Sequence, residues 1–207
     1  MTLTDSSNPF NQKDYYAEQF KQLDITGIEN TLTQGLSFED CLFENCDFSQ
    51  VDFSLCQFEQ CNFVNCNFSL AVLKGARMNA IHFKDCKLLG IDWSLLHWPS
   101  IALDSLVAFD SCVLNDSSFY GLTLQALKVV ECRCFDVDFR EGDFNQGDFS
   151  HTDFRGSLFN RTNLSGCDFA ESLNYDIDMM INQVKGAKFS RHEAVRLLHS
   201  FDIELLD

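Results

Sequence analysis

The fold of this chain is decided by residues 36–68, which read LSFEDCLFENCDFSQVDFSLCQFEQCNFVNCNF. A large apolar residue recurs at every fifth position from Phe38, and the series continues as far as Leu103. Two places before each large residue stands a smaller apolar one, such as Cys41 before Phe43. Most of the remaining positions are polar. A five-residue period is neither that of an amphipathic helix nor that of an ordinary strand.

A chain with this period must turn a corner in every unit. Residues two apart lie on the same side of an extended chain, so the small and the large apolar residue of one unit point the same way. Five residues of straight strand would place the next large residue on the opposite face. Repeated corners make a coil, and stacked coils pair the backbone amides of successive turns. The pattern therefore predicts a β-solenoid, and by itself leaves open whether a coil has three faces or four.

A slip divides the repeats into two blocks. After Leu103 the next large residue is Phe109, six places on. We interpret this as a one-residue slip near 104–108, which would make a bulge or a slightly longer corner. The repeat then runs to Phe189 and is broken by one polar residue, Asn174.

The two ends of the chain differ from the repeats. Residues 1–14 are expected to be a flexible lead-in, and the solenoid to span 15–189 with an irregular first coil over 15–35. Residues 190–207 are expected to form a short helix and tail, with Ser190 and Glu193 as a capping box. Paired end caps would form a two-fold interface. The residues assigned to dimerisation are Val195, Leu197, Leu198, Phe201, Ile203 and Leu205.

The composition argues against several classes of protein. The 207 residues carry a net charge of −16, so a nucleic-acid ligand is not expected, because phosphate binding needs Lys and Arg. There is no run long enough for a membrane helix and no signal peptide, so we expect a cytoplasmic protein without a membrane partner. The sequence has no catalytic motif and no glycine-rich phosphate loop. We therefore predict a protein that is not an enzyme and has no cofactor or metal site.

The ten cysteines fit the repeat rather than a metal site. Nine occupy the small inward position, and Cys134 occupies the large one. A spacing of five sends successive thiols to different walls, so they do not converge as CxxC ligands do. We predict reduced cysteines that serve as core residues.

Acidic residues are concentrated in the second block, where we predict an acidic wall that binds a partner. DNA carries about one negative charge per 1.7 Å, and a negative rod could occupy the basic DNA groove of another protein. Complementary charge would also speed the encounter. The alternative is that the acidity only keeps the protein in solution. The residues assigned to the wall are Asp136, Asp138, Glu141, Asp143, Asp148 and Asp153.

Units such as Cys46-Asp47-Phe48-Ser49-Gln50 resemble the pentapeptide-repeat family. The resemblance implies an all-β fold: a right-handed quadrilateral β-helix with four units per coil and about eight coils, ended by a short C-terminal α-helix. Longer segments, among them 86–93, 98–100 and 174–178, are similar to the branch of the family that protects topoisomerases. That branch includes the Qnr-type quinolone-resistance proteins and an albicidin-resistance protein.

The resemblance also implies a function and partners. Such proteins bind DNA gyrase, with topoisomerase IV as a second candidate, and protect it from a poison; the C-terminal helix joins two copies in a homodimer. Several Qnr-type proteins carry projecting loops, so a one-residue slip would place this chain nearer the albicidin-type members. The alternative hypothesis is a structural or scaffold solenoid unrelated to topoisomerases.

Overall fold

The computed structural model describes residues 9–29, 33–99, 105–201 and 203. The chain winds into a parallel solenoid in which residues 20 apart stack on one another, as Phe38 does on Phe58 and Asn62 on His82. Twenty residues are four five-residue units, so a coil has four walls, which decides between three and four faces. The predicted quadrilateral β-helix of about eight coils is confirmed.

Two of the four walls carry most of the strands. In chain order these are β1 (Asp14–Tyr16), β2 (Gln19–Lys21), β3 (Ser37–Glu39), β4 (Leu42–Glu44), β5 (Gln57–Glu59), β6 (Asn62–Val64), β7 (Arg77–Asn79), β8 (Ile81–Lys84), β9 (Val107–Asp110), β10 (Lys128–Val130), β11 (Asp168–Phe169) and β12 (Lys188–Phe189). Wall 1 holds β1, β3, β5 and β7, and wall 2 holds β2, β4, β6, β8, β9 and β10. Single bridges continue wall 2 to β11 and β12.

The other two walls are joined by isolated parallel bridges. Wall 3 includes the bridge from Asp47 to Asn67, and wall 4 includes the bridge from Asp52 to Val72. A short 3₁₀ helix, Trp93–Leu95, lies on wall 4, with the carboxylate of Asp92 accepting a hydrogen bond from the Ser94 amide. None of the helices in the described ranges is long and apolar enough to cross a membrane.

The core is a set of stacked aromatic columns. Phe63 is fully buried and stacks on Phe43 below it, with ring centroids 4.7 Å apart, and on Phe83 above it, at 4.9 Å. Rings on adjacent walls meet edge to face, as Phe63 and Phe68 do at 5.0 Å. Both arrangements are preferred by aromatic pairs. The large residue of each repeat therefore fills the centre of the coil, as the sequence predicts.

Most corners of the described coils are made by a residue in the left-handed region of backbone space. Asn45 and Asn65 hold the same corner in two consecutive coils, with φ of 56° and 51°, and Gly90 has φ of 66°. This region is costly for most residues and tolerable for Asn, Asp and Gly. The left-handed residue turns the chain onto the next wall, so the small residue of the following unit again points inward.

The interruption between the two blocks is larger than one residue. Phe83 pairs with Phe109, 26 residues along the chain instead of 20. The six extra residues belong between Leu96 and Leu106, both of which are buried. The predicted one-residue slip near 104–108 is therefore wrong. A five-residue period cannot distinguish an insertion of one residue from one of six, because the difference is one complete repeat.

A smaller insertion lies in the first coil. Phe20 pairs with Phe43, 23 residues along the chain, so the coil that begins at β1 is three residues longer than a regular one. The extra residues fall between Ile25 and Thr33. The irregular first coil predicted for 15–35 corresponds to this insertion.

The N-terminal end of the solenoid is closed by Phe10. Its ring is 3% exposed and packs edge to face on Tyr15 and Phe38. Residues 1–8 of the predicted lead-in lie outside the described residues. Phe10, which belongs to the same segment, covers the apolar core at the N-terminal end.

The C-terminal end is closed by an irregular coil and a 3₁₀ helix, Ala194–Phe201. The predicted capping box does not form. Ser190 exchanges hydrogen bonds with Glu171, and Glu193 accepts one from the Asn174 amide at 2.8 Å. Both side chains thus attach the segment to the preceding coil instead of to the helix.

Candidate partner-binding surfaces

The predicted acidic residues lie around one coil rather than on one wall. Asp138 is on wall 4, Asp143 on wall 1, Asp148 on wall 2 and Asp153 on wall 3. Asp136 holds the corner between walls 3 and 4, with φ of 56°. Residues five apart fall on successive walls, and only residues 20 apart share a wall. The acidic residues are thus concentrated around one coil and spread over its four walls, and their role in binding a partner stays a prediction.

Three of these carboxylates are paired with neighbouring arginines, and one of the three is Asp153, whose partner is Arg155 at 3.6 Å. The Arg140 guanidinium donates to Asp138, with Nη2 2.7 Å from Oδ2, and this hydrogen bond lowers the pKa of Asp138. Glu141 forms an ion pair with Arg161 of the next coil. Exposed pairs of this kind contribute little to stability. They do reduce the net charge that this part of the rod presents.

The C-terminal segment presents an apolar surface that differs in part from the predicted one. Val195, Phe201 and Ile203 are exposed and available for a partner. Leu197 is 6% exposed and belongs to the core, so its assignment to dimerisation is wrong. It faces inward because the helix must also close the last coil. Leu198 is half-buried, and Leu205 lies outside the described residues.

Two further apolar residues adjoin this end of the rod. Met180 and Ile181 are 72% and 46% exposed, on the turn that precedes the last coil. The repeat pattern does not single them out, because the five-residue period places Met179, not its neighbours, among the large inward residues. Both side chains are therefore also available to a partner.

All ten cysteines are free and buried, as predicted. Five of them form a column on wall 3, in which each thiol bridges two coils. The Sγ of Cys86 donates to the Phe63 carbonyl at 3.3 Å and accepts from the Cys66 amide at 3.3 Å. Thr152 continues the column, and its hydroxyl makes the same two kinds of bond. The column therefore satisfies backbone groups inside the core.

Wall 4 carries a group of exposed leucines and valine that the sequence analysis did not single out. Leu55, Leu70, Val72 and Leu95 are 63%, 58%, 42% and 48% exposed. We call these four residues the leucine patch. Leu55 and Leu70 occupy corner positions, where the repeat has mostly polar residues. That departure from the pattern was the signal available in the sequence.

Within the described part of the chain, no group of three or more His, Cys, Asp or Glu side chains could hold a metal ion.

The repeat geometry agrees with a known family. The profile of the pentapeptide repeat region matches residues 36–106 and 97–169, which together make up more than half of the chain. The chain belongs to the pentapeptide-repeat family. No curated protein sequence matches it.

Solved structures show the same fold. A trypsin-treated variant of QnrB1, described as a plasmid-mediated fluoroquinolone resistance protein, is 20% identical with a TM-score of 0.61 and covers 93% of this chain and 100% of its own. A second trypsin-treated variant is 19% identical with a TM-score of 0.53, covering 97% of this chain and 94% of its own. At this identity the likeness establishes the fold of the pentapeptide-repeat protein and leaves its partner open.

Proposed function

We propose that this pentapeptide-repeat protein binds DNA gyrase as a DNA mimic and protects the enzyme from a topoisomerase poison. The observation that carries the proposal is the likeness to QnrB1 over 93% of the chain, since QnrB1 is a fluoroquinolone resistance protein. The likeness gives only the fold, so the charge of the rod is the independent support.

A rod with a net charge of −16 has the sign of DNA. Carboxylates lie on all four walls, and a duplex is likewise negative all round its axis. A basic groove built for DNA would attract such a rod at long range and raise the rate of encounter. The distribution around the coil therefore suits mimicry of a cylinder better than one acidic face would.

The six-residue insertion between Leu96 and Leu106 bears on the class of poison. A one-residue slip would favour an albicidin-type member without a projecting loop. An insertion of six residues removes that argument, so a quinolone and albicidin are both candidate poisons. We further propose that the protein acts in the cytoplasm, where gyrase is found, as a homodimer.

The dimer would form through the C-terminal surface of Val195, Phe201 and Ile203, with Met180 and Ile181 beside it. These five side chains are exposed and belong to the C-terminal part of the chain. A two-fold axis through this end would bury them against their counterparts and produce a longer rod.

A supercoiling titration tests the function. Purified DNA gyrase is assayed with increasing amounts of this protein, alone and in the presence of ciprofloxacin or albicidin. We expect supercoiling to be restored in the presence of at least one drug. The drug that is countered identifies the class of poison. If neither drug is countered by protein that is folded, the scaffold hypothesis replaces this one.

A charge-reversal variant tests the mimicry within that assay. Reversal of Asp143, Asp148 and Asp153 changes three walls at once and leaves the buried residues intact. We expect it to weaken gyrase binding, most strongly at low salt, because exposed charges are screened at high salt. Unchanged binding at every salt concentration would exclude a role for these carboxylates.

A further inference from the structure

Charge alone does not select the wall that meets a partner. Each wall of the rod carries carboxylates, and several are paired with a neighbouring cation, such as Asp168 with Lys188 at 2.9 Å. Exposed apolar side chains are distributed unevenly instead. Six of the large ones lie on wall 4 or at its two corners: Leu55, Leu70, Val72, Leu95, Tyr120 and Leu158.

The leucine patch occupies three consecutive coils. Val72 stands at its centre and bridges to Asp52 of the preceding coil. Along one corner, the Leu55 amide donates to the Lys74 carbonyl at 3.0 Å, and the Gly75 amide donates to the Leu95 carbonyl at 2.8 Å. Backbone hydrogen bonds therefore hold the patch at a fixed spacing.

Two glycines allow the leucines to lie against the wall. A Cβ on Gly75 would stand 3.0 Å from Leu55 Cδ2, and one on Gly90 would stand 2.8 Å from Leu70 Cδ2. Each leucine side chain thus covers the glycine of the next coil and presents a flat apolar surface. The position of the two leucine side chains therefore depends on the absence of a Cβ at the two glycines.

Stability gives no reason for leucine at these two corners. Leu55 and Leu70 have φ of 63° and 60°, a region that is costly for a residue with a branched apolar side chain. Their exposed fractions exceed one half, so little apolar surface is removed from water in return. Asn45 and Asn65 hold corresponding corners of wall 2 with a residue better suited to that backbone.

We propose that the leucine patch is the surface through which the rod docks on its protein partner, and that the partner offers an apolar surface bordered by basic side chains. Asp52 and Asp92 lie on wall 4 in the coils on either side of Val72, and in the described ranges neither forms an ion pair. Lys74 lies on the same wall, so the local excess of acid is small. The net charge of the whole rod supplies the long-range attraction, and the patch supplies contact area and orientation.

This inference rests on the proposed function, because it takes DNA gyrase as the partner. Several exposed apolar side chains grouped on one wall mark an interaction site more often than scattered ones do. Mimicry by charge would leave the rod free to turn about its axis in a basic groove. The leucine patch lies on wall 4, so its contact with the partner would hold the rod in one rotational orientation about its axis.

The test replaces both corner leucines with glutamine. The precedent is Gln146, a left-handed corner residue with φ of 61° whose side chain covers Gly166. The double variant Leu55→Gln/Leu70→Gln should therefore fold, which thermal unfolding checks first. Should it fail to fold, Leu95→Gln alone is used. The matched control is Tyr16→Gln, which removes a side chain that is 69% exposed on wall 1.

Binding to immobilised, purified DNA gyrase is measured by biolayer interferometry. We expect the double variant to bind about ten-fold or more weakly than the unaltered protein, and Tyr16→Gln to bind equally well. Equal binding by the unaltered protein and the double variant would overturn the leucine patch and leave the proposed function standing. No binding by the unaltered protein would overturn the proposed function and this inference with it.

Discussion

At the scale of single residues, the corner decides what each position tolerates. The left-handed residue of one coil and the residue 20 places later stand one above the other, so a long side chain at one corner can lie over a glycine at the same corner of the next coil. Leu70 and Gly90 are such a pair, and Gln146 and Gly166 are another. The stacking of corners therefore couples positions that are far apart in the sequence and adjacent in the wall.

Two glycine-to-alanine variants measure how much stability depends on this close packing between a corner side chain and the glycine above it. Gly90→Ala introduces a Cβ 2.8 Å from Leu70 Cδ2 in a backbone with φ of 66°. Gly121→Ala introduces one at φ of 68° with no atom within 4 Å. Left-handed strain costs about 1–2 kcal/mol in both variants. In urea unfolding we expect the Gly90 variant to lose more stability than the Gly121 variant, and equal losses would mean that Leu70 moves aside freely.

At the scale of an element, the cysteine column of wall 3 acts as an internal hydrogen-bond ladder. The thiols of Cys86, Cys112 and Cys132 each accept a hydrogen bond from the amide of the cysteine in the preceding coil and donate to a carbonyl of that same coil. Thr152 and Ser172 occupy the same column and donate to the carbonyls of Val129 and Phe149 at 2.7 and 2.6 Å. A hydroxyl can therefore replace a thiol there, because the position requires a small group with both a donor and an acceptor.

Substitution of Cys86 tests the ladder. Cys86→Ser keeps a donor and an acceptor and should cost little stability. Cys86→Ala leaves the Cys66 amide without its acceptor and should cost about 1–3 kcal/mol more, since an unsatisfied buried donor is expensive. Chemical denaturation of the two variants beside the unaltered protein decides the matter. If alanine is tolerated as well as serine, the thiols only fill space.

At the scale of the whole molecule, the buried thiols make the free energy of unfolding depend on pH in the alkaline range. Burial raises the pKa of Cys61 and of Cys167 to about 12, and that of Cys56 to about 11, from an ordinary value of 9.0. The folded state therefore keeps protons that the unfolded chain releases above pH 9.0. The free energy of unfolding is constant with respect to these groups below that pH and falls as the pH rises toward their folded values.

Urea unfolding between pH 7 and about 10.5 checks this dependence. We expect a loss of stability that begins near pH 9 and steepens with each further unit. Lysine and tyrosine also titrate in this range, so a variant with Cys61→Ala and Cys167→Ala serves as the control. Its stability should fall less steeply. A slope identical to that of the unaltered protein would show that the thiols do not contribute.

The oligomeric state also belongs to the whole molecule. Val195 is exposed and Leu197 is buried on the same short helix, so the two can be separated by mutation. Val195→Asp should convert a dimer to a monomer with little change in thermal stability. Leu197→Asp should destabilise the C-terminal end. Analytical ultracentrifugation gives the mass, and an unaltered protein that is already a monomer would refute the dimer.

The sequence by itself determined the solenoid, the inward residues and the role of the cysteines, because a strict five-residue period is a local property of the chain. Only the tertiary structure decided the number of walls, the six-residue insertion and the arrangement of the acidic residues. These depend on which residues stack 20 apart, and a five-residue period repeats identically on every wall. The same ambiguity hid the leucine patch, since Leu55, Leu70 and Leu95 become neighbours only when coils are superposed. Burial of Leu197 likewise depended on how the last helix closes the core.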